Sequence, residues 1–149
     1  MSRCLNLSRA GEYAIAALSR LALQAEGGGG PFPTETLARA QGVPQSFLTK
    51  ILARCARAGL VRTTKGPSGG VELSRPPERI SVLEVIEACE GRLSRERCVF
   101  YQEKTCAGPD CAVYCPLREE EERTRLRLAQ TTLARMAMAL RSHPGPGQA

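Results

Sequence analysis

Between residues 34 and 73 the chain carries two short helical patterns joined by one glycine-containing turn, followed by two strand patterns flanking a turn sequence. Thr34 stands where it can cap a helix running to Ala40, with Glu35 in the first turn opposing the dipole and Gly42 beyond the end. Pro44 suits the first turn of the next helix, in which Leu48, Ile51, Leu52 and Cys55 repeat at the spacing of one buried stripe until Gly59 stops it. Leu60–Thr64 and Val71–Leu73 read as strands, and Lys65-Gly66-Pro67-Ser68-Gly69-Gly70 supplies the turn chemistry of a hairpin wing. Helix, tight turn, helix and hairpin in this order predict a winged helix-turn-helix.

The flanking segments are helical in pattern. Ala14, Ala17, Leu18, Leu21 and Ala22 make one buried stripe of a first helix from Ser8 to Gln24, ended by the glycine run 27–30. Ser81 and Glu84 form a capping box ahead of Val82, Val85, Ile86 and Cys89, and Gly91 ends that helix. From Leu117 to Arg141 the positions Leu126, Ala129, Leu133, Met136 and Leu140 alternate steps of three and four, which predicts a long helix in need of a partner. Trp is absent and aromatic residues make up only 4% of the chain, so the core must be aliphatic, which favours helix on helix. The expected architecture is mainly α, with a two-stranded wing and a long C-terminal dimerisation helix. It divides into a DNA-binding unit (1–80), a helix with a cysteine-rich loop (81–116), the dimerisation helix (117–141) and a disordered tail (142–149).

Residues 31–75 hold seven basic side chains against two acidic ones, and the whole chain has a formal charge of +6, so the positive excess sits on the helix-turn-helix and wing. A recognition helix lays its N-terminal residues on base edges while cations hold phosphates. Gln45, Ser46 and Thr49 have the hydrogen-bonding groups for the first task, and Lys50 and Arg54 follow at exposed positions for the second. Lys65 and Ser68 stand at the wing, beside glycines that let backbone approach DNA closely. The expected partner is double-stranded DNA, through a pseudo-palindromic operator read by two copies of the chain. The N-terminus has no charged stretch leading into an apolar segment, and no apolar run reaches the roughly 18 residues that span a bilayer, so a cytoplasmic protein with no membrane contact is expected.

Seven cysteines in a reducing compartment point away from a disulfide framework. Cys55 and Cys89 fall on apolar helical stripes and read as core. Cys98, Cys106, Cys111 and Cys115 lie in a stretch without sustained period, which something other than hydrophobic burial must order. Four thiolates that close in sequence can saturate a zinc site or supply every protein ligand of a two-iron or four-iron cluster. Cys98 stands apart from the other three, unlike the tight cysteine pairs common in zinc sites, yet zinc or redox-active thiols remain the alternative to iron and sulfide. No nucleophile, base and orienting group can be assembled around the single His143, which argues against an enzyme.

Three segments taken together are specific: Leu7-Ser8-Arg9-Ala10-Gly11-Glu12-Tyr13-Ala14, then Pro44-Gln45-Ser46-Phe47-Leu48-Thr49-Lys50-Ile51-Leu52, then Gly59-Leu60-Val61 leading to the wing turn. Through them the chain, from about Leu7 to Leu140, resembles the Rrf2 family of winged-helix transcription regulators, its IscR-like and NsrR-like members included. The resemblance implies a homodimer paired through the long C-terminal helix, and a cluster held by three cysteines and one other ligand. Cys98, Cys106 and Cys111 match the three cysteines in order, and Cys115 falls near a histidine ligand of some members. Glu12 occupies the position of a carboxylate that completes the site in others, where it comes from the other subunit. A set of Cys98, Cys106 and Cys115 with Glu12 is the alternative. A wider first gap and a fourth loop cysteine depart from the family pattern.

Overall fold

The computed structural model describes residues 7–93, 111 and 116–142. The chain runs α1 (Arg9–Glu26), α2 (Thr34–Gln41), α3 (Gln45–Arg57), β1 (Val61–Thr64), β2 (Gly70–Leu73), a 3-10 turn (Pro77–Arg79), α4 (Val82–Glu90), α5 (Pro116–Gln130) and α6 (Leu133–Ser142). The two strands are antiparallel, with Val61 opposite Leu73 and Thr64 opposite Gly70. This is the mainly α, winged helix-turn-helix arrangement expected from the pattern. No helix among the described residues is long and apolar enough to cross a membrane.

The start of α1 is fixed twice. The Ser8 hydroxyl accepts from the Gly11 amide at 3.2 Å, and the Glu90 carboxylate, from the last residue of α4, accepts from both the Ser8 amide (2.8 Å) and the Ser8 hydroxyl (2.9 Å). An acidic group at a helix N-terminus also opposes the helix dipole. Thr34 does not cap α2 as expected from its residue type. It is already the first helical residue, and Pro33 occupies the cap without a side-chain bond. Gly42 ends α2 in the left-handed conformation at φ 64°, which turns the chain sharply into α3, capped by Pro44.

The core is one aliphatic cluster. Leu18 of α1, Leu37 of α2, Leu48 and Leu52 of α3, Leu60, Val71 of the wing and Leu133 of α6 are all essentially inaccessible. Burial stabilises each such side chain by about 1.5–3 kcal/mol relative to exposure. Cys55 and Cys89 are buried with them, as their places on the apolar stripes predicted.

The single long C-terminal helix does not form. α5 stops at Gln130 and α6 begins at Leu133, because the Thr131 carbonyl and the Leu133 amide pair with backbone at the start of α4 rather than along the helix. The Val82 amide donates to the Thr131 carbonyl at 2.8 Å, and the Leu133 amide donates to the Ile80 carbonyl at 2.9 Å. Two adjacent β-branched threonines, stiff at χ1 and poor helix formers, lower the cost of the break. The expected stripe is divided in consequence: Leu133 is buried within the protomer, Met136 and Leu140 are half-buried, and Leu126 and Ala129 are exposed. On α5, Arg123 reaches Glu119 at 3.3 Å and Glu120 at 2.8 Å.

The capping box of α4 holds as expected. Burial works against the Glu84 charge, yet the Ser81 amide, Arg75 and the Ser81 hydroxyl together outweigh it and hold the carboxyl below its ordinary value of 4.5. The stabilisation is therefore complete above the ordinary carboxylate range and is lost as pH falls through the lowered folded value. Glu84→Gln should melt below the parent protein at neutral pH, and in a series of thermal denaturations the gap should narrow as pH falls below the ordinary carboxylate range and through the lowered folded value.

Candidate nucleic-acid interface

The N-terminal half of α3 presents Gln45, Ser46, Thr49 and Lys50 outward, while Leu48, Ile51 and Leu52 seat the opposite face in the core. The helix is steered from behind by Tyr13 of α1, whose ring meets Phe47 edge to face at 5.7 Å between centroids. This contact explains why Phe47, at 37% exposure, sits at the head of a helix that otherwise shows water its polar residues. The Thr49 hydroxyl donates back to the Gln45 carbonyl at 2.8 Å, which leaves its lone pairs to accept from a ligand.

The wing stands beside this helix and is pinned to the body. β2 is bridged on its other side by Phe32, whose amide donates to the Val71 carbonyl at 2.8 Å and whose carbonyl accepts from the Val71 amide at 2.9 Å. Gly69 is required by close approach: a Cβ there would fall on the Thr64 carbonyl and within 2.9 Å of the Gly66 carbonyl. Lys65 and Ser68 lie exposed in the turn. Between α3 and the wing runs a groove of about 660 Å³, lined among others by Gln45, Thr49, Thr63, Thr64, Gly66 and Pro67. Thr63 and Thr64 carry no motif of their own in the sequence. Both are exposed at the end of β1, where they line the groove.

The seven cations of residues 31–75 separate into groups. Arg39 pairs with Glu35 at 2.7 Å, Arg62 with Glu72 at 3.0 Å and Arg75 with Glu84 at 2.9 Å. Arg54, expected on the DNA face, sends its guanidinium to the C-terminal end of α4, where Nη1 donates to the Cys89 carbonyl at 3.0 Å. Among the described residues Lys50, Arg57 and Lys65 pair with no carboxylate, so the uncompensated charge sits on the recognition helix and the wing tip.

Of the candidate metal ligands, Cys111 is partly exposed and Glu12 is exposed on the first turn of α1. Cys98, Cys106 and Cys115 lie outside the described residues, as do His143 and all of the expected tail except Ser142. Among the described residues no three His, Cys, Asp or Glu side chains gather as a metal site. Glu12 and the beginning of the cysteine loop share one end of the fold, since Glu90, one residue before Gly91, is bonded to Ser8 and abuts Gly11.

The chain is 32% identical over 130 residues to the HTH-type transcriptional regulator IscR of Xenorhabdus nematophila, an alignment covering 87% of this chain and 77% of that protein. Its fold matches the solved structure of T. potens IscR with a TM-score of 0.69 at 27% identity, covering 98% of this chain and 93% of the other. It also matches CymR, the global cysteine regulator of B. subtilis, with a TM-score of 0.73 at 22% identity, covering 91% and 98%, a likeness of fold. The Rrf2 family model, described as an iron-dependent transcriptional regulator, matches residues 7–139. With that match spanning the helix-turn-helix, the wing, the cysteine loop and most of α6, the chain belongs to the Rrf2 family of transcriptional regulators.

Proposed function

We propose that this regulator binds a pseudo-palindromic DNA operator as a homodimer, and that an iron–sulfur cluster sensing redox state, nitric oxide or iron–sulfur supply sets its affinity. The observation that carries the DNA reading is that Lys50 and Arg57 on α3 and Lys65 in the wing turn are exposed and without carboxylate partners among the described residues. Gln45, Ser46 and Thr49 read base edges, and Lys50, Lys65 and Ser68 hold phosphate. Arg54 acts from behind the recognition helix through its bond to α4.

For the cluster, the donor chemistry fits. Cys98, Cys106 and Cys111, with Cys115 or Glu12 as the remaining ligand, give the thiolate-rich set that two-iron and four-iron clusters require. Cys111 is accessible and Glu12 is exposed at the end of the fold from which the loop departs. Such a cluster supplies one-electron chemistry and reactivity toward nitric oxide and oxygen. The loop leaves directly from α4, and the Arg54–Cys89 bond joins the end of α4 to α3, so a change of loop geometry has a short route to the recognition helix. A coupling of about 1.4 kcal/mol changes affinity tenfold.

The test is a visible spectrum with iron, sulfide and zinc analysis on protein purified without oxygen, alongside Cys106→Ala. A coloured protein with matched iron and sulfide that is colourless as Cys106→Ala is expected. A colourless protein that carries zinc, or no metal after reconstitution, would overturn the cluster reading and leave the DNA reading standing. Operator binding is measured separately, on a duplex selected from a random-sequence pool by the protein itself.

A further inference from the structure

A helix and a wing that read DNA together leave one stretch of it between them. Adjacent major and minor grooves of a duplex are separated by a single sugar–phosphate strand. With the head of α3 in the one and the wing turn at the other, that strand has to pass over the groove between α3 and the wing. The unpaired cations do not line this groove. Lys50, Arg57 and Lys65 all lie off its walls, and its one charged lining residue is Glu35, which Arg39 holds at 2.7 Å.

The lining is small, apolar or hydroxylic instead. Ala53 and Ala56 present methyl groups from α3, and Pro67 adds its ring from the wing turn. Thr34 at the first position of α2, with Thr63 and Thr64 at the end of β1, supplies three hydroxyls. None of the three has a hydrogen-bond partner among the described residues, in contrast to Thr49, whose hydroxyl donates to the Gln45 carbonyl at 2.8 Å. Threonine hydroxyls donate to phosphate oxygens without bringing a charge, and methyl and pyrrolidine surfaces suit the apolar side of a deoxyribose.

The hydroxyls come from two elements that one strand holds together. Phe32, two residues before Thr34, is bridged to Val71, and Val71 is the strand partner of Thr63. Gly70, opposite Thr64, lies so close to this segment that a Cβ there would fall on the Phe32 carbonyl. The start of α2 and the end of β1 are therefore fixed relative to each other before any ligand arrives.

We propose that the operator strand between the two DNA grooves crosses here, its phosphates held by Thr34, Thr63 and Thr64 as neutral donors and its sugar resting on Ala53 and Pro67. The inference rests on the DNA reading above and adds to it a set of contacts that carry affinity without salt dependence. Lysine contacts release counterions and hydroxyl contacts do not, so the two parts of the interface separate in a salt series.

The experiment compares Thr63→Val and Thr64→Val, singly and together, with Thr63→Ser and Thr64→Ser, all in the full-length protein on the duplex that the parent selects from random sequence. Valine keeps the β-branched shape that suits a strand and removes the hydroxyl. A loss of about threefold to tenfold per hydroxyl is expected, with the slope of log affinity against log salt unchanged. The serine variants should bind like the parent. Duplexes with single uncharged methylphosphonates then locate the contact. At the backbone between the bases read by the helix and those met by the wing, the losses from valine and from methylphosphonate should not add. Thr34→Ala, on a separate element, should show the same non-additivity there, and it decides the matter should the wing variants fail to fold by circular dichroism. Variants that bind as tightly as the parent, losses that add at every phosphate, or a shallower salt slope would each overturn the proposal and leave the lysine contacts standing. A parent protein that selects no duplex would overturn the DNA reading and this inference together.

Discussion

Lys50→Ala combined with Lys65→Ala is expected to weaken operator binding by about 1.5–3 kcal/mol per lysine, at least tenfold each, in every protomer that contacts DNA. Both side chains are exposed, one on the recognition helix and one at the wing tip, so neither contributes to the core. The plot of log affinity against log salt should become shallower by about 1.8 per bound protomer, the amount for two phosphate contacts. Binding to unrelated duplexes should fall by a similar factor, since phosphate contacts carry no sequence information. Fluorescence anisotropy over a salt series measures both quantities. A slope equal to that of the parent protein would remove both lysines from the interface. Arg62→Ala provides the contrast: its guanidinium is already on Glu72 at 3.0 Å, and its loss should move the slope little.

Leu133→Ala is the most damaging single truncation expected in the C-terminal region. Leu133 has no exposed surface and belongs to the same core cluster as the α1 residues Leu18 and Leu21. Removing it leaves a cavity at the centre of the α1–α6 contact, and such truncations cost about 2–5 kcal/mol. Against a total stability of roughly 5–15 kcal/mol for a domain, that is a large share. The thermal midpoint should fall by roughly 10 °C. A calorimetric midpoint within a degree of the parent would show that α6 does not pack on α1 in solution.

The winged helix-turn-helix is legible in the sequence because each piece carries its own local signal. Gly42 marks the turn, Pro44 the start of α3, the Leu48–Cys55 stripe its buried side, and the glycine-rich segment after Lys65 the wing. All four act over a few residues, which is the range that pattern and propensity can report. The break in the C-terminal helix is not legible, for the opposite reason. Leu126, Ala129, Leu133, Met136 and Leu140 satisfy a heptad step, but the Ile80 and Val82 backbone takes the hydrogen bonds at Thr131 and Leu133. That competitor lies about fifty residues upstream and has no local trace beyond two threonines. Arg54 differs for a similar reason: its exposed position suits DNA, but the α4 carbonyl that attracts it is brought there only by tertiary folding. Of the cysteine loop, the sequence supplies the donor set, and the ligands Cys98, Cys106 and Cys115 fall outside the described residues.

The closure of α6 over α1 also affects how the chain is made. The stripe Leu18, Leu21 and Ala22 is covered partly by residues of α6 that are synthesised much later, and Glu26 is paired with Arg141, 115 positions later. At typical synthesis rates of 5–20 residues per second, that separation holds α1 without its final cover for roughly 6–23 s. For that interval a nascent helix with an apolar face is a substrate for chaperones and for other nascent copies. The helix-turn-helix and wing, although encoded before α6, can therefore reach their finished packing only after its synthesis.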